Sequence, residues 1–464
     1  MSGTARAMFQ SLGVRNYRLF AGGQVISLTG TWVQTVAQDW LVLDLSGNSA
    51  AALGVVTALQ FTPMMLLVAY AGVLADRFDK RLMLIVVQSC FALLALGMGL
   101  LVVSGSAQLW HVYVFAALLG CAQSFDTPTR QAFVSEMVGA DRLPNAVALN
   151  SATFNSARLV GPAVGGILIA AFGVGPSFLV NSASYIAVLS ALLAMRPSEL
   201  VRAKRVERGR GQIVAAIRYV RGRPDLLQAF TLVFVVGTMG MNFMLTLPLL
   251  AKVEFKVGAA QFGLLGSALA AGALVGALLG TRRRTRPSAW LHLAFAGLFG
   301  ALESLLAFAP SFLFAALIVA PTGALLIAHN NVANARVQLG APGQMRGRVM
   351  ALYMLVFIGG TPVGALLVGA VSQRFGARAG ILLGGLSVLA AAAVVAMLHA
   401  RSQGVRVWID VLPRPRVHLL VPPEPGAEAD AGLAAIPAVA EASEVGAAVA
   451  GEQRPAAGRA PAAR

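Results

Sequence analysis

Three carboxylic acids stand inside or at the ends of long apolar stretches of the sequence: Asp39, Asp126 and Glu303. A charge near the middle of a bilayer costs about 2.5–3.5 kcal/mol on insertion scales, so an acid there should face a cavity or a partner. An acid that reaches a cavity can bind and release a proton. All three are therefore candidate proton carriers. Asp39 lies toward the end of its stretch, and Glu303 has no polar companions in its own.

Asp126 is the first choice among the three because of its neighbours. Gln123, Asp126 and Arg130 recur at intervals of three and four, which places them on one face of a helix. Pro128 is expected to bend that helix beside them. Arg130 could compete with a proton for the carboxylate, which would give a two-state switch. A packed polar seam between helices explains the same residues without proton transfer, and the sequence leaves both interpretations open.

Other polar residues within apolar stretches are predicted to line a central cavity. Most recur within their stretch at intervals that place them on one helical face. The predicted lining residues are Gln34, Gln38, Gln123, Arg130, Asn155, Arg158, Asn242, His329, Asn330 and Asn334.

The composition indicates which class of protein has to position these residues. Of the 464 residues, 57% are hydrophobic and only 12% are charged, and the mean hydropathy is +0.74. A soluble protein carries about 25% charged residues. Apolar runs of about 20 residues recur, and each can cross a bilayer as a helix whose backbone amides have internal partners. The alternation typical of a β-barrel is missing. The prediction is an all-α membrane protein.

The chain is predicted to cross the membrane twelve times, in two pseudo-symmetric halves of six helices around a central cavity. The predicted spans lie near 19–45, 51–74, 82–103, 109–136, 143–171, 176–195, 225–251, 262–280, 289–309, 312–335, 348–371 and 378–399. The halves repeat short motifs in one order. Arg130 corresponds to Arg336, 206 positions later (336 − 130), and Gly161 corresponds to Thr361, 200 positions later (361 − 161). Such repeats are typical of secondary transporters.

The positions of the basic residues predict the orientation of the chain. The formal charge of +17 comes from short segments between apolar runs, which indicates topology-setting charge and argues against nucleic-acid binding. The connections after the first, third, fifth and ninth spans contain no Lys or Arg, whereas RRRTR follows the eighth span. The positive-inside rule then places both termini of a multi-pass protein in the cytoplasm. The family resemblance described below implies that the membrane is a bacterial inner membrane.

The same pattern divides the chain into four regions. They are a six-helix bundle over 1–195, a basic cytoplasmic linker over 196–224, a second six-helix bundle over 225–400 and a disordered cytoplasmic tail over 401–464. In the linker, Ile213, Ile217 and Val220 share a helical face opposite Arg210, Arg218 and Arg221. This predicts an amphipathic helix at the inner membrane surface, and a solvated linker without a helix is the alternative. The tail has too few large apolar residues to fold alone.

One stretch, GVLADRFDKR, concentrates five charged residues in ten positions. It resembles the signature loop of the major facilitator superfamily, although Asp79 stands where that loop has a second glycine. The matching residues are Gly72, Asp76, Arg77, Lys80 and Arg81. The segments RNYRLFAGGQVISLTGTWVQ and DTPTRQAFVSEMV resemble the branch that contains the enterobactin exporter and related multidrug efflux proteins. The resemblance covers about residues 15 to 400.

The resemblance implies that this loop helps to gate the cytoplasmic side. Asp76 would end the second span where an acid can face the positive N-terminus of another helix. Exposed ion pairs contribute about 0–1 kcal/mol each, which suits a gate that opens in every cycle. Topology-setting charge alone explains the bases but not the two acids beside them.

A second motif, GPAVGG, resembles the fifth-helix motif of antiporters in the superfamily. Gly161, Gly165 and Gly166 allow neighbouring helices to approach closely, and Pro162 bends the helix and frees a backbone carbonyl. A hinge is predicted here, and packing by small residues alone is the alternative.

These features predict a proton-coupled exporter of a small organic molecule, such as a drug or a siderophore-like compound, that works as a monomer by alternating access. Its partners would be the lipid bilayer, the substrate and protons, with no cofactor and no metal. The sequence contains no phosphate-binding loop and no catalytic motif, and Cys90 and Cys121 fit no metal site, so an enzyme is not expected. Uptake by symport, or a non-transporting sensor or scaffold, are the alternatives.

The predicted orientation can be tested by labelling. In a cysteine-free background, single cysteines at Ser46 or Ser106 should react with an impermeant thiol reagent added outside intact cells, because their connections contain no basic residue. Cysteines at Ser198 or Ser288 should be protected. Reversed labelling would overturn the orientation.

Overall fold

The computed structural model describes residues 9–201, 212–280, 286–403, 406–410 and 416–420, which are almost entirely helical. The α-helices are α1 (Arg15–Leu45), α2 (Ala50–Arg77), α3 (Lys80–Val103), α4 (Leu109–Phe172), α5 (Val174–Leu193), α6 (Gln212–Arg221), α7 (Pro224–Val235), α8 (Phe243–Leu249), α9 (Ala259–Gly280), α10 (Ala289–Ala307), α11 (Phe312–Gly340), α12 (Gly343–Gly359), α13 (Thr361–Phe375) and α14 (Ala377–Ser402). Short 3₁₀-helices lie at Gln10–Gly13 and Pro197–Glu199, and π-helical turns at Val236–Gly240 and Leu250–Glu254.

Ten helical segments in the described part of the chain are long and apolar enough to cross a bilayer. One of them, α4, has 64 residues and breaks at Gly139, whose φ of 71° lies in the left-handed region that glycine adopts readily. The break falls where the sequence predicts a connection between two spans. The 31-residue α1 is not among the ten, because polar residues along its length lower its hydropathy.

The segment from α7 to α8 is interrupted by a π-helical turn, and one side chain repairs the interruption. Asn242 donates through Nδ2 to the carbonyl oxygens of Thr238 and Met239, both at 2.9 Å. Carbonyls that lose their helical partner in a membrane need such a donor. The backbone of Thr238 packs tightly on Gly364 of α13. A Cβ added at Gly364 would lie 1.6 Å from the carbonyl oxygen of Thr238.

Two helix pairs join the segment before the linker to the segment after it. In the first pair, α2 packs on α13, and a Cβ at Gly54 would lie 2.6 Å from the carbonyl oxygen of Ala365. In the second, α4 packs on α9, and a Cβ at Gly263 would lie 2.2 Å from the carbonyl oxygen of Pro162. The backbones approach this closely because glycine has no side chain. Both contacts lie toward the outer ends of these helices, meaning the ends that the charge pattern predicts to face away from the cytoplasm.

The linker contains the predicted amphipathic helix, α6, but its apolar side covers protein. Ala216 and Val220 are buried in a cluster with Leu226 of α7 and with Val349 and Tyr353 of α12. Within the predicted apolar face, Val220 is therefore covered by protein, and Ile217 packs against the same cluster. The side chain of Ile213 lies outside the described part of the structure. A helical face pattern shows that a surface is buried, but not whether lipid or protein covers it.

The residues from His399 onward form a separate unit. Its described part contains an antiparallel hairpin of β1 (Arg406–Asp410) and β2 (Arg416–Leu420), with Trp408 paired to His418. The sequence predicts disorder throughout 401–464, so the hairpin is a correction. Both strands contain β-branched or large apolar residues, which favour strands even in a tail whose average composition is polar and small. Residues 421–464 lie outside the described part.

The close approach of α4 and α9 gives a stability prediction. A Gly263→Ala variant should have a lower melting temperature in detergent, because overpacking of this kind costs about 1–3 kcal/mol. Gly297→Ala on α10 is the matched control, since nothing lies within 4 Å of a Cβ at that position. The control should be unchanged or slightly more stable, as alanine is favoured over glycine inside a helix by about 0.5–1 kcal/mol. Equal melting temperatures for the two variants would contradict the tight contact.

Candidate functional site

Asp126 lies at the centre of a polar network that joins three helices. The side chain is 1% exposed and forms an ion pair with Arg130, one turn later on α4. Gln88 of α3 donates through Nε2 to Oδ1 of Asp126 at 2.7 Å. Arg130 also donates to Oε1 of Gln24 on α1. Oδ1 of the carboxylate thus accepts from a neutral donor and Oδ2 from a charged one, and hydrogen bonds between charged groups are the stronger kind.

A cavity of about 490 Å³ lies next to this network. Gln24 and Arg130 contribute to its wall, whereas Asp126 lies behind Arg130. The lining residues are Phe20, Gln24, Leu28, Arg130, Gln131, Val134, Ser135, Leu143, Val147, Asn150, Ser151, Thr153, Phe154 and Asn155. Six of these fourteen residues are apolar, and most of the exposed surface of the wall is apolar. Amides, hydroxyls and one guanidinium lie among the apolar groups, as in sites that bind organic molecules.

The arrangement has a direct chemical consequence. A proton that binds Asp126 would remove the charge that holds Arg130, since a neutral carboxyl no longer attracts a guanidinium. Arg130 would then be free to bind an acceptor in the cavity. In the opposite direction, a ligand that engages Arg130 would leave Asp126 without its counter-ion. The ion pair can therefore link the protonation of one group to the occupancy of the cavity.

Asp39 is buried on the same helix as Gln24 but in a different environment. Its side chain is 7% exposed, and we find no ion pair for it among the described residues. The neighbouring polar groups are engaged elsewhere: Gln34 accepts from Asn181 of α5 at 2.7 Å, and Gln38 donates to Gln60 of α2 at 3.4 Å. The polar face of α1 thus serves mainly to join α1 to α2 and α5.

Glu303 lies in the segment after the linker and is 3% exposed. Its Oε2 atom has no hydrogen-bond partner among the described residues. The side chain packs against Gly384 of α14, where a Cβ would lie 2.8 Å from both Oε1 of Glu303 and the carbonyl oxygen of Met239. The structure does not bring Glu303 together with Asp126. No basic residue forms an ion pair with Glu303 in the described part of the chain.

The predicted lining residues before the linker fall into two groups. Asn155 lines the 490 Å³ cavity. Arg158, one turn further along α4, is half-buried with its guanidinium carbon 5.9 Å from the centre of the Trp32 ring. Gln123 is half-buried and donates to Oγ1 of Thr127 at 3.3 Å. Neither Arg158 nor Gln123 is among the residues that line this cavity.

The polar residues of α11 also lie apart from that cavity. His329 is fully buried, and its ring stacks on His292 of α10 with 4.6 Å between ring centres. Asn330 is half-buried, and its Oδ1 has no partner among the described residues. Asn334 is half-buried as well. His292 was not predicted as a site residue, because a single histidine near the start of an apolar stretch gives no periodic signal.

Two bases of the charged loop at 72–81 anchor it to neighbouring helices. Lys80 forms an ion pair with Glu136 of α4 at 2.8 Å, and both side chains are largely buried. Arg81 donates to the carbonyl oxygens of Leu192 and Leu193 at the end of α5, at 2.7 and 3.0 Å. A cation at the C-terminus of a helix is favourable, because the last carbonyls have no helical partner.

The other loop residues have separate positions. Asp79 accepts from the backbone amide of Leu82 at 3.0 Å and so caps the N-terminus of α3, which explains an acid at the place where the superfamily loop has glycine. Arg77 is exposed and Gly72 is half-buried. The side chain of Asp76 lies outside the described part of the structure.

The motif GPAVGG uses both of its faces for packing. Gly161 and Gly165 contact α1, and a Cβ at Gly161 would lie 2.3 Å from Cβ of Trp32. Pro162 and Gly166 contact α9 on the other side of the helix. The motif therefore lies between one helix of its own bundle and one helix from beyond the linker, where a bend would move the two relative to each other.

A cluster of polar contacts near the predicted outer ends was missed by the sequence analysis. Lys252 forms an ion pair with Asp44 at the end of α1, and its Nζ lies 4.7 Å from the centre of the Trp40 ring. Ser49 donates through Oγ to Oε1 of Gln373 on α13 at 2.9 Å. We call these five residues the outer latch. Lys252 was the one residue of the outer latch that the sequence could have drawn attention to. It is a basic residue in a connection that the order of the spans assigns to the outer side.

Comparison with known proteins defines the family. A profile of the transmembrane secretion effector family of the major facilitator superfamily matches residues 8–427. The staphyloferrin A transporter of Staphylococcus aureus is 26% identical over 269 residues, which is 56% of this chain and 66% of the relative, just under two thirds of its length. The enterobactin exporter EntS of Citrobacter koseri is 25% identical over 329 residues, which is 70% of this chain and 78% of the relative.

Solved structures agree on the fold. A bacterial homologue of the human lysosomal transporter Spinster superposes with a TM-score of 0.68 at 15% identity, covering 84% of this chain and 97% of that one. A bacterial homologue of the iron transporter ferroportin gives 0.64 at 15% identity, with coverage of 82% and 98%. The chain therefore belongs to the transmembrane secretion effector family of the major facilitator superfamily, and it is a multi-pass membrane transporter rather than an enzyme.

Proposed function

We propose that this protein is a proton-coupled exporter that works by alternating access, with twelve spans in two halves of six. Ten apolar segments are present in the described residues. The break of α4 at Gly139 makes two spans of one segment, and the polar but 31-residue α1 is long enough to cross as well. Both termini would then lie in the cytoplasm, and the single chain supplies both halves of a monomeric transporter.

The contacts between the segments before and after the linker support alternating access. The pairs α2 with α13 and α4 with α9 pack through glycines near the predicted outer ends, and the outer latch lies beside them. Asp44 remains 47% exposed in its ion pair with Lys252, and such pairs contribute about 0–1 kcal/mol. These contacts support our inference that the predicted outer end is closed here by interactions weak enough to separate in each cycle.

The observation that carries the proposal is the buried ion pair of Asp126 and Arg130 beside the cavity. Transport driven by protons requires that proton binding and substrate binding are linked through the same groups. Asp126 can bind the proton, and its ion-pair partner Arg130 lines the cavity, so the pair provides this link. One proton moving down about 150 mV supplies roughly 3.5 kcal/mol, which corresponds to a gradient of a few hundredfold. Asp39 and Glu303 remain the second and third candidate carriers.

A siderophore-like or drug-like small organic molecule is the proposed substrate. The enterobactin exporter and the staphyloferrin A transporter are named for molecules of the siderophore class, and the family name refers to secretion. The cavity suits such a molecule, because its apolar wall presents amides, hydroxyls and the guanidinium of Arg130. We place the protein in a bacterial inner membrane, with export as the direction.

The charged loop and GPAVGG have supporting roles in this proposal. Lys80 and Arg81 hold the loop against α4 and α5, so Asp76 is the loop residue that we assign to the cytoplasmic gate. The motif at 161–166 is the hinge, because it contacts helices on both sides of the boundary that has to move.

Replacing Asp126 tests the proposal. In proteoliposomes with an imposed pH gradient, Asp126→Asn should lose uphill transport of a siderophore substrate, since an amide cannot bind and release the proton. The amide oxygen can still accept from Arg130, and the amide nitrogen can donate to the unpaired Oε1 of Gln88 once that side chain turns over. Downhill counterflow should therefore stay within about twofold of wild type. The measurement is substrate accumulation against its gradient, followed beside counterflow in the same vesicles.

Asp141→Asn is the matched control, because Asp141 is an exposed acid on the same helical segment. It should transport like the unmodified protein in both assays. If Asp126→Asn still builds a substrate gradient, Asp126 is structural and the proton carrier lies elsewhere. If the unmodified protein accumulates substrate in the direction of uptake, the protein is a symporter for uptake and the proposal of export is wrong.

A further inference from the structure

His292 and His329 form a buried pair whose ring nitrogens are left unsatisfied. The rings stack at 4.6 Å between centres with an interplanar angle of 28°, and the residues are 2% and 0% exposed. Nε2 of His292 and both ring nitrogens of His329 have no hydrogen-bond partner among the described residues. A neutral imidazole has one donor and one acceptor, and buried polar atoms nearly always have partners. The three unpaired nitrogens therefore indicate that a ligand is accommodated here at some stage.

The place of the pair in the fold suggests what that ligand is. His292 follows Gln88 by 204 positions (292 − 88), and His329 follows Asp126 by 203 positions (329 − 126). The correspondence of Arg130 with Arg336 gives nearly the same spacing. Gln88 and Asp126 join α3 to α4, and the histidines join α10 to α11. Each half thus has one polar pair at the equivalent helix contact, and the first pair contains the proposed proton carrier.

We propose that the His292–His329 pair is a second proton-binding site and takes part in coupling as the counterpart of Asp126. The inference rests on the proposed function in that it assumes a transport cycle driven by protons. Imidazole is suited to the role, because its two charge states interconvert near neutral pH in ordinary surroundings. A proton on either ring gives one of the unpaired nitrogens a charge, and a water molecule or a rearranged neighbour can then satisfy it.

The geometry limits the pair to one added proton. Two imidazolium rings at 4.6 Å would repel each other, so the second protonation is strongly disfavoured once the first has occurred. A single cation stacked on a neutral aromatic ring is, by contrast, an attractive arrangement. The pair should therefore titrate as one coupled unit.

Other charged groups near the pair are few. Arg336, two turns further along α11, acts electrostatically on His292 and donates to the carbonyl oxygen of Pro287. Helix α9, which packs on α11, contains no titratable residue. The remaining titratable or charged groups on α10, on α11 and on the helices packed against them are Asp225, Glu303, Arg346, Arg348, Tyr353, Arg378, His399 and Arg401. Asp225 and Arg378 are already in ion pairs, so Arg336 is the main fixed charge that the added proton meets.

Nitrogen-15 NMR of the histidine rings tests proton binding directly. The full chain contains five histidines, and in lipid nanodiscs their signals can be assigned with His292→Gln and His329→Gln. As the pH falls from about 8 to about 5, the pair should gain one imidazolium signal while its other ring stays neutral. Two neutral rings across that range, or two rings that titrate independently, would overturn the inference. This measurement needs no substrate and does not depend on the fate of Asp126→Asn.

Transport measurements test participation in coupling. His329→Gln should lower export driven by a pH gradient by about tenfold while counterflow stays within about twofold. His111→Gln is the matched control and should match the unmodified protein. Normal counterflow shows that the variant is folded, so unchanged pH-driven export by His329→Gln would contradict a coupling role. If the Asp126 variant retains coupling but the NMR signal appears, the proposed carrier fails and the histidine site stands.

Discussion

The hydrocarbon core of a membrane offers no water to a polar group, and this constraint accounts for most of the contacts inside the bundle. Arg130 satisfies Asp126, Asn181 satisfies Gln34, and Asn242 satisfies the carbonyls released by a π-helical turn. These polar groups find their partners on the same helix or on the helix packed on it. Where pairing is complete between two helices, the residues hold the helices together. The ring nitrogens of His292 and His329 are among the buried atoms that lack such a partner in the described residues.

Two kinds of contact of different strength join the parts of the molecule that have to move. Glycine-mediated packing places backbones against each other along α2 with α13 and along α4 with α9. Such contacts involve many atoms and fix where the helices pivot. The outer latch consists of one partly exposed ion pair, a contact between Lys252 and the Trp40 ring, and one side-chain hydrogen bond. Exposed ion pairs contribute little individually. Packing thus defines the geometry of the closed end, while the latch leaves it free to open.

Local patterns carried most of what the sequence could predict. Hydropathy alone identifies a helical membrane protein, and the interval of four residues predicts that Asp126 and Arg130 share a helical face. The third and fourth members of the network were not predictable, because Gln24 and Gln88 come from other helices and only the packing of α1 and α3 brings them to Asp126. The latch escaped prediction for the same reason, since its partners are about 200 or more positions apart.

Other differences arise from what covers a surface. The apolar face of α6 was recognised as a face, but the sequence could not show that α7 and α12 cover it. The hairpin at 406–420 has local strand propensity, which the composition of the whole tail concealed. Asp79 shows the converse: its departure from the superfamily loop becomes understandable once the structure shows it capping α3.

The central claim is that protonation of Asp126 controls the opening of the predicted outer end. Spin labels at Ser46 and Lys256, near the Asp44–Lys252 ion pair of the outer latch, allow the distance between them to be measured by double electron–electron resonance in nanodiscs. We predict that acidification changes the distance distribution in the otherwise cysteine-free protein, and that Asp126→Asn abolishes this change. An unaltered pH response in the Asp126→Asn protein would contradict the claim.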